Sequence, residues 1–352
     1  MDHTKEVKCV VWDLDNTLWN GTLLEADTVT LKPGIKEIII ELDRRGILHS
    51  VASKNNYDDA LKKLKDFELD QYFLYPEIHW NSKSSAIGNI QKNLNIGFDT
   101  ILFVDDQPFE RDEVATVFPD VETVDANFYA DLPYQKRLQP KFSTEDSLRR
   151  RMMYLEDMTR TRDEAAYTGP KDEFLASLNM VFTITEAREE DLQRAEELTV
   201  RTNQLNATGR TYSYDELMAY THSADHRLYV CELSDRYGSY GKIGLALVEL
   251  TTDAWHLKML LMSCRVLSRS AGSILMTYIM QQARHEGKRL LADFRPTDRN
   301  KMMYVTYRFA NFRELSNDGD GNIVFENDLT QLQQFPPYIT LHYPEMLYRN
   351  DR

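Results

Sequence analysis

A chain of 352 residues is too long for one compact core, and its 42% hydrophobic and 28% charged residues are typical of a globular protein in water. The net charge of −14 argues against nucleic acid as a general partner, because a phosphate backbone requires a basic surface. There is no apolar run of about 18 residues and no signal-peptide pattern, and three scattered cysteines predict neither disulfides nor a metal site, so we expect a cytoplasmic protein without membrane contact.

The N-terminal part alternates buried strands with amphipathic helices. Strands are predicted at 8–15, 47–53, 100–106 and 121–126, and helices at 34–46, 56–67 and 109–118. This alternation is typical of a parallel α/β sheet, whose ligands bind at the carboxyl ends of the strands. Five polar side chains fall at such ends: Asp13, Asp15, Ser53, Asp105 and Asp106.

The second half of the chain has a different order of elements. Residues 136–178 are charged and irregular, and we interpret them as a linker with one helix around 144–163. Its basic stretch, 135–151, is interpreted as a solvated face, with a local basic patch as the alternative. Strands are then predicted at 181–187, 227–235, 242–250, 255–264 and 289–294, and helices at 189–203, 272–287 and 300–312. We therefore predict one domain over 1–135 and another over 179–352.

The motif DLDNT at 13–17 is the first candidate for chemistry. It places Asp13 and Asp15 where a buried strand gives way to a loop, so that both carboxylates can address one small volume. One of them can attack phosphorus while the other transfers a proton. Surface carboxylates would be the ordinary interpretation of such a pair if it stood alone.

Features downstream complete a phosphoryl-transfer set. Ser53 can bind a phosphoryl oxygen, and Lys83 can neutralise phosphate charge. Asp105 and Asp106 supply the hard oxygen ligands that magnesium prefers. Because phosphoryl transfer depends on positioning and charge stabilisation, this set predicts a magnesium-dependent phosphoryl-transfer site.

The four elements, in this order, resemble the motifs of the haloacid dehalogenase (HAD) superfamily. The resemblance implies that Asp13 forms an aspartyl-phosphate and that Asp15 acts as general acid and base. It also implies that Mg²⁺ is held by Asp13, Asp105, Asp106 and the backbone carbonyl of Asp15. The spacing of the motifs leaves no room for a large lid domain, so the site is expected either to be open to a bulky substrate or to be closed by another domain.

Longer segments resemble one particular group, the FkbH-like proteins of polyketide assembly. The segments are DLDNTLWNG (13–21), SKNN (53–56), the segment around Lys83, DDQPFER (105–111), RTNQLNATGR (201–210) and MSCRVLSRS (262–270). Asn20 departs from the family, which usually has glycine there, and this puts only the local loop shape in doubt. The resemblance implies an α/β protein, with a Rossmann-like HAD sheet followed by a GNAT-like α+β domain.

The FkbH-like resemblance also implies a reaction. 1,3-Bisphosphoglycerate would become a glyceryl thioester on an acyl carrier protein, with loss of both phosphates. A thiolate can displace the activated acyl phosphate without ATP, whereas the remaining phosphate ester needs a phosphatase. GNAT domains hold a phosphopantetheine arm between two splayed strands, which correspond here to 255–264 and 289–294.

Three cysteines compete for the role of the acylated thiol. Cys264 lies at the predicted strand end, next to Arg265, and His256 precedes it on the same strand. We propose Cys264 as the nucleophile, with a buried small hydrophobic residue as an equally weighted alternative. Cys9 is the next candidate, although core packing is favoured for it, and Cys231 is expected in the core.

The segment 201–210 carries amides and arginines that can bind substrate. Asn203, Gln204, Asn206 and Arg210 can contact a glycerate hydroxyl or its phosphate, and Arg265 is a further candidate. A polar helix C-terminus is the alternative interpretation of this segment. The eight histidines show no metal-ligand spacing, so no zinc site is predicted.

Two other functions stay open at this point. One is a plain HAD phosphatase of a small phosphate ester, which would be indifferent to Cys264→Ala. The other is a module that binds a carrier protein through a decayed GNAT fold and tolerates loss of Asp13. The intact phosphoryl-transfer set argues against this second alternative.

Overall fold

The computed structural model describes residues 5–25, 28–269 and 271–344. The chain divides into two compact units, Met1–Asp157 and Met158–Arg352. The division falls inside the segment that the sequence suggests as a linker. In the described ranges, no helix combines the length and the apolar character needed to traverse a bilayer.

The first unit is built as the alternating pattern predicts. Its strands are β1 (Cys9–Trp12), β2 (Trp19–Asn20), β3 (Thr30–Leu31), β4 (Leu48–Ser53), β5 (Glu77–Ile78), β6 (Ile101–Asp105) and β7 (Glu122–Asp125). Its helices are α1 (Ile35–Arg44), α2 (Tyr57–Asp66), α3 (Lys83–Leu94), α4 (Pro108–Val117) and α5 (Glu145–Leu148), and α6 (Arg150–Ala166) crosses the division between the units. Helix α3 and the short strands β2, β3 and β5 were not predicted.

A parallel sheet with the strand order β5-β4-β1-β6-β7 forms the centre of this unit. Every residue of β1, β4 and β6 is buried, as expected where helices cover both faces of a parallel sheet. Cys9 pairs with Leu48 on one side and with Ile101 on the other, so the three strands end at the same edge. The predicted α/β fold with an N-terminal parallel sheet is confirmed.

The basic stretch at 135–151 is tied into the first unit. Arg137 forms an ion pair with Glu122 and donates a hydrogen bond to the carbonyl oxygen of Lys5. Arg151 lies 2.9 Å from Oδ1 of Asp43. Both arginine side chains are largely covered, so the interpretation as a solvated face is wrong for these two residues. The helix predicted around 144–163 is present as α5 and α6.

The second unit contains a mixed sheet with the strand order β13-β14-β12-β11-β10-β9-β8-β15. Its strands are β8 (Met180–Glu186), β9 (His226–Asp235), β10 (Gly238–Leu250), β11 (Ala254–Met262), β12 (Arg289–Phe294), β13 (Phe312–Asn317), β14 (Ile323–Asn327) and β15 (Ile339–His342). Its helices after α6 are α7 (Lys171–Ser177), α8 (Glu189–Arg201), α9 (Tyr214–Thr221), α10 (Ala271–His285) and α11 (Lys301–Phe309). The predicted strands and helices are present, whereas β13–β15, α7 and α9 were not predicted.

Strands β11 and β12 run parallel at first and then separate. They pair from Ala254 to Leu257, and beyond that point the segment 205–207 takes the place of β12 beside β11. Ala207 N donates to Leu260 O at 3.0 Å, and Met262 N donates to Leu205 O at 2.9 Å. We call 205–207 the wedge. The gap in which the resemblance places a phosphopantetheine arm is therefore filled by the chain itself.

Candidate active site

Asp13 and Lys83 form the centre of the site in the first unit. Asp13 follows β1, and its backbone N–H donates to Val104 O at 2.9 Å, which fixes it at the sheet edge. Lys83 is the first residue of α3, which is capped by the side chain of Ser82. Its ammonium group donates to Asp13 and, at 2.7 Å, to the carbonyl oxygen of Ala52. Only 4% of the Lys83 residue is exposed, so this contact is almost fully desolvated.

Asp105 and Asp106 complete a cluster of carboxylates with Asp13. One oxygen from each of the three residues lies within 4.8 Å of the others. Thr17, which is fully buried, accepts a hydrogen bond of 3.0 Å from the backbone N–H of Asp106 and so ties the two loops together. The three carboxylates predicted as metal ligands are thus brought to one place.

The cluster suits a hard divalent cation. Oδ2 of Asp105 is buried and lies 3.1 Å from Lys83, but it accepts no hydrogen bond of normal geometry. One lysine cannot balance three carboxylates, so the site has excess negative charge, most of it shielded from water. Oxygen donors of this kind are the ligands that magnesium takes, and neither sulfur nor imidazole is present in the cluster.

Burial and mutual repulsion shape the protonation of the cluster. Desolvation, with the charge of Asp13, raises the pKa of Asp105 and of Asp106 above the ordinary range. Burial alone would lower the pKa of Lys83, but attraction to Asp13 and Asp105 outweighs it and holds that pKa above its usual value. Lys83 is therefore a permanent cation.

Asp15 is held in one orientation by three donors. Its Oδ1 accepts from Trp19 Nε1 at 2.8 Å and from the backbone N–H of Leu23 at 3.0 Å. Its Oδ2 accepts from Asn55 Nδ2 at 2.9 Å. Burial raises the pKa of Asp15, and these hydrogen bonds oppose the rise only in part. A carboxyl with a raised pKa, fixed beside Asp13, is suited to giving and taking protons.

Ser53 ends β4 at the same edge of the sheet and is 3% exposed. Its hydroxyl has no hydrogen-bond partner among the described residues, so it is available to a phosphoryl oxygen. Sequence reasoning did not assign roles to Thr17, Trp19 and Asn55. All three lie inside the segments DLDNTLWNG and SKNN. Their place in these segments is the sequence signal that could have identified them.

Comparisons with known proteins give two kinds of similarity. No protein-family model matches the chain. Human magnesium-dependent phosphatase 1 is 28% identical over 119 residues, an alignment that covers 28% of this chain and 68% of the relative. The N-terminal part of a Bacteroides fragilis protein, which contains a phosphatase domain complexed with Mg, is 31% identical with a TM-score of 0.31. That match covers 37% of this chain and only 40% of the other.

Solved acetyltransferases are also similar in structure. The ribosomal-protein-S18-alanine N-acetyltransferase of Escherichia coli is 13% identical, with a TM-score of 0.34. The match covers 44% of this chain and 97% of that chain. The chain thus has similarity both to magnesium-dependent phosphatases and to an N-acetyltransferase.

The amides predicted to bind substrate have unequal positions in the second unit. Asn203 and Gln204 are exposed, whereas Asn206 is fully buried in the wedge. Oδ1 of Asn206 accepts from the backbone N–H groups of Thr208 and Gly209, and its Nδ2 donates to the carbonyl oxygen of Arg210. Both polar atoms of Asn206 are therefore engaged within the loop instead of facing a substrate.

The two candidate arginines lie in different surroundings. Arg210 is half exposed, stacks over the ring of Tyr212 at 4.5 Å, and pairs with Glu216 at 3.2 Å. Arg265 is partly buried and lies 3.4 Å from Ser263 Oγ through its Nε. Arg210 lines a cleft of the second unit, and Arg265 is not among the residues that line it.

The structure describes the side chains of two of the three cysteines. Cys9 and Cys231 are fully buried, and desolvation raises the pKa of each thiol well above its ordinary value. Thiolate chemistry is therefore disfavoured at both positions. The side chain of Cys264 lies outside the described part of the structure, although its backbone begins a short 3-10 turn after β11.

His256 pairs with Asp293. Its Nε2 lies 2.6 Å from Oδ1 of Asp293, at the end of β11 that is far from Cys264. Met262 lies six positions along the extended strand from His256, a span of roughly 20 Å. Direct activation of Cys264 by His256 is therefore excluded by the geometry of this strand.

Proposed function

We propose that this protein is a Mg²⁺-dependent phosphatase of the HAD type, with Asp13 as nucleophile. The observation that carries the proposal is the convergence of Asp13, Asp105 and Asp106 around Lys83 at the carboxyl edge of a parallel sheet. The similarity to magnesium-dependent phosphatases supports the same conclusion.

In the first half of the reaction a carboxylate oxygen of Asp13 attacks the phosphorus atom. The bond from phosphorus to the leaving oxygen breaks, and Asp15 donates its proton to that oxygen. Lys83 and the hydroxyl of Ser53 bind the equatorial phosphoryl oxygens and hold the group in line. Because Asp15 is fixed by Trp19 and Asn55, its proton is presented at one position.

In the second half a water molecule attacks the aspartyl-phosphate. Asp15 now accepts the proton of that water, the bond between phosphorus and Asp13 breaks, and inorganic phosphate is released. Mg²⁺, held by Asp13, Asp105, Asp106 and the backbone carbonyl of Asp15, would supply the positive charge that screens the phosphoryl oxygens.

The test is phosphate release from small phosphate esters, with Mg²⁺ and with EDTA. We expect turnover only with the metal, and a hydroxylamine-labile phosphoryl group on Asp13 in rapid-quench samples. Metal-independent release, or full activity of Asp13→Asn, would remove the proposal.

A finer proposal concerns the substrate. The resemblance to FkbH-like proteins along nearly the whole chain supports conversion of 1,3-bisphosphoglycerate into a glyceryl thioester on an acyl carrier protein. The Cys264 thiolate would attack the acyl carbon, the acyl carbon–oxygen bond would break, and phosphate would leave. The glyceryl group would then pass to the pantetheine thiol of the carrier, and the remaining phosphate ester would be hydrolysed at Asp13.

Intact-protein mass spectrometry tests this finer proposal. Wild type, Cys264→Ala and Cys9→Ala are incubated with Mg²⁺ and 1,3-bisphosphoglycerate, each with and without a holo carrier protein. We expect an acyl adduct on wild type and Cys9→Ala that the carrier removes, and none on Cys264→Ala. If no form of the protein carries an adduct while phosphate release is intact, only the phosphatase proposal remains.

A further inference from the structure

A cleft of about 680 Å³ opens beside the wedge in the second unit. Its walls come from the segment after the wedge (208–212) and from Lys258 on β11. The end of β12 with the loop that follows it (293–297) and the entry into β14 (322–324) complete them. All of these belong to one unit, and a cleft of this size can hold a small metabolite.

Three cations line the cleft: Arg210, Lys258 and Arg295. The guanidinium group of Arg295 is exposed and has no side-chain partner among the described residues. Arg210 is paired with Glu216, but both side chains are about half exposed, and a pair of this kind is worth little and exchanges readily. Two arginines are thus available to an incoming anion.

Among the described residues that line the cleft, Asp293 is the acidic one, and its charge is already compensated. Its Oδ2 accepts from Lys258 at 2.6 Å, and its Oδ1 lies 2.6 Å from His256 Nε2. Burial would raise the pKa of Asp293, but these two contacts outweigh burial and lower it. The wall is therefore net positive in a chain whose net charge is −14.

Hydroxyl and amide groups surround these cations. Thr208, Thr211, Thr297 and Asn322 line the cleft, and the side chain of Thr211 has no partner among the described residues. A Cβ atom at Gly209, where φ is +63°, would meet Thr297 at 2.9 Å. Glycine at this position therefore lets the loop approach Thr297 closely. The close approach keeps the hydrogen-bonding groups of the loop at the cleft.

The loops that line the cleft are held in place before any ligand arrives. Asn300 is fully buried, and its Nδ2 donates to the carbonyl oxygens of Asn206 at 2.9 Å and Arg295 at 2.9 Å. Arg295 N also donates to Ala207 O at 3.0 Å. A preformed site lowers the entropy that a ligand loses on binding.

We propose that this cleft binds a small organic anion rich in hydroxyl groups, with its phosphate or carboxylate on Arg295 and Arg210. The proposal deepens the proposed glyceryl transfer, and it rests on that function only for the expectation that the ligand is glycerate-like. Arg295 is the principal anion-binding residue, Lys258 adds positive charge while it neutralises Asp293, and the threonines bind hydroxyl groups.

Calorimetric titration of the full chain in EDTA tests the proposal without turnover. The probes are 3-phosphoglycerate, glycerol 3-phosphate, D-glycerate and neutral glycerol. We expect at least one anion to bind at least about tenfold more tightly than glycerol, since hydrogen bonds to charged groups are the strong ones. Whether glycerol 3-phosphate or glycerate binds better identifies the anionic group.

Arg295→Ala should weaken binding of that anion at least about tenfold. Arg308→Ala, an exposed arginine of α11 that does not line the cleft, is the matched control and should bind as wild type does. The loss should also appear in a Lys83→Met background, where the phosphate site of the first unit is weakened.

Three results would overturn the proposal: no binding of any anion, equal binding of glycerol, or an Arg295→Ala variant that binds like wild type. Each of these can occur while phosphate release and glyceryl transfer continue. Conversely, if anion binding depends on Arg295 but no acyl adduct forms, the proposal for the cleft stands and the proposal of glyceryl transfer is rejected.

Discussion

The ammonium group of Lys83 lies 3.1 Å from Oδ2 of Asp105 and also donates to Asp13. All three residues are buried, so one cation holds two carboxylates together in a place with little water. A buried charge is tolerated only when it is compensated. Lys83 thus links the nucleophile to the candidate metal ligand, and the loss of Lys83 would leave two buried carboxylates without their shared cation.

Asp13→Asn should abolish phosphate release, with a fall in kcat of at least about 10³-fold, because an amide cannot form the covalent intermediate. Steady-state release of inorganic phosphate measures this. Asp112→Asn, an exposed position on α4, is the matched control and should retain wild-type turnover. Comparable loss of turnover in both variants would mean that the effect of Asp13→Asn does not come from loss of the nucleophile.

Lys83→Met should lower the free energy of unfolding by about 3 kcal/mol in EDTA, because Asp13 and Asp105 lose their shared partner. Mg²⁺ should then stabilise this variant more than it stabilises wild type, since the cation replaces the missing positive charge. Thermal unfolding with and without Mg²⁺ checks both statements. Lys92→Met, at an exposed position of α3, should show neither effect.

Asn55→Ala should reduce kcat roughly 10- to 100-fold, since the carboxyl of Asp15 loses the donor to its Oδ2 and no longer stays in one orientation. Substrate binding should change less than kcat, because Asn55 acts on Asp15. The exposed Asn93 of α3 provides the control substitution. A large rise in KM with an unchanged kcat would contradict a positioning role.

His49 should make the fold sensitive to mild acid. Trp12 Nε1 donates to its Nδ1, and its Nε2 donates to Ile39 O, so the buried ring is held neutral. Burial lowers the pKa of His49 to about 3, against 6.5 in the unfolded chain. Between these values only the unfolded chain takes up the proton, so stability is present above pH 6.5 and falls as the pH falls.

Urea unfolding at pH 7 and pH 5.5 measures this effect, which should be about 1 kcal/mol for this group. His49→Phe should be less stable than wild type at pH 7, but its stability should depend less on pH. The exposed His342, changed to Gln, should leave the wild-type pH dependence intact. If His49→Phe keeps the wild-type pH dependence, the acid sensitivity comes from a different group.

The sequence by itself determined the strands of the first unit and the residues at their ends. Asp13, Ser53 and Asp105 each follow a buried apolar run, and local alternation of strand and helix is enough to predict a parallel sheet. Parallel strands end at one edge, so the convergence of these side chains follows from topology. The central strands of the second unit were predicted from their patterns in the same way.

Only the tertiary structure decided which polar groups hold the functional ones in place. Asn55 reaches Asp15 across 40 residues, and Asn300 reaches the carbonyl of Asn206 across 94. No local pattern encodes such contacts, because they depend on where the whole backbone places two distant loops. The wedge is the clearest case. Hydrogen bonds to β11 hold residues 205–207 in a gap that the strand pattern alone leaves open.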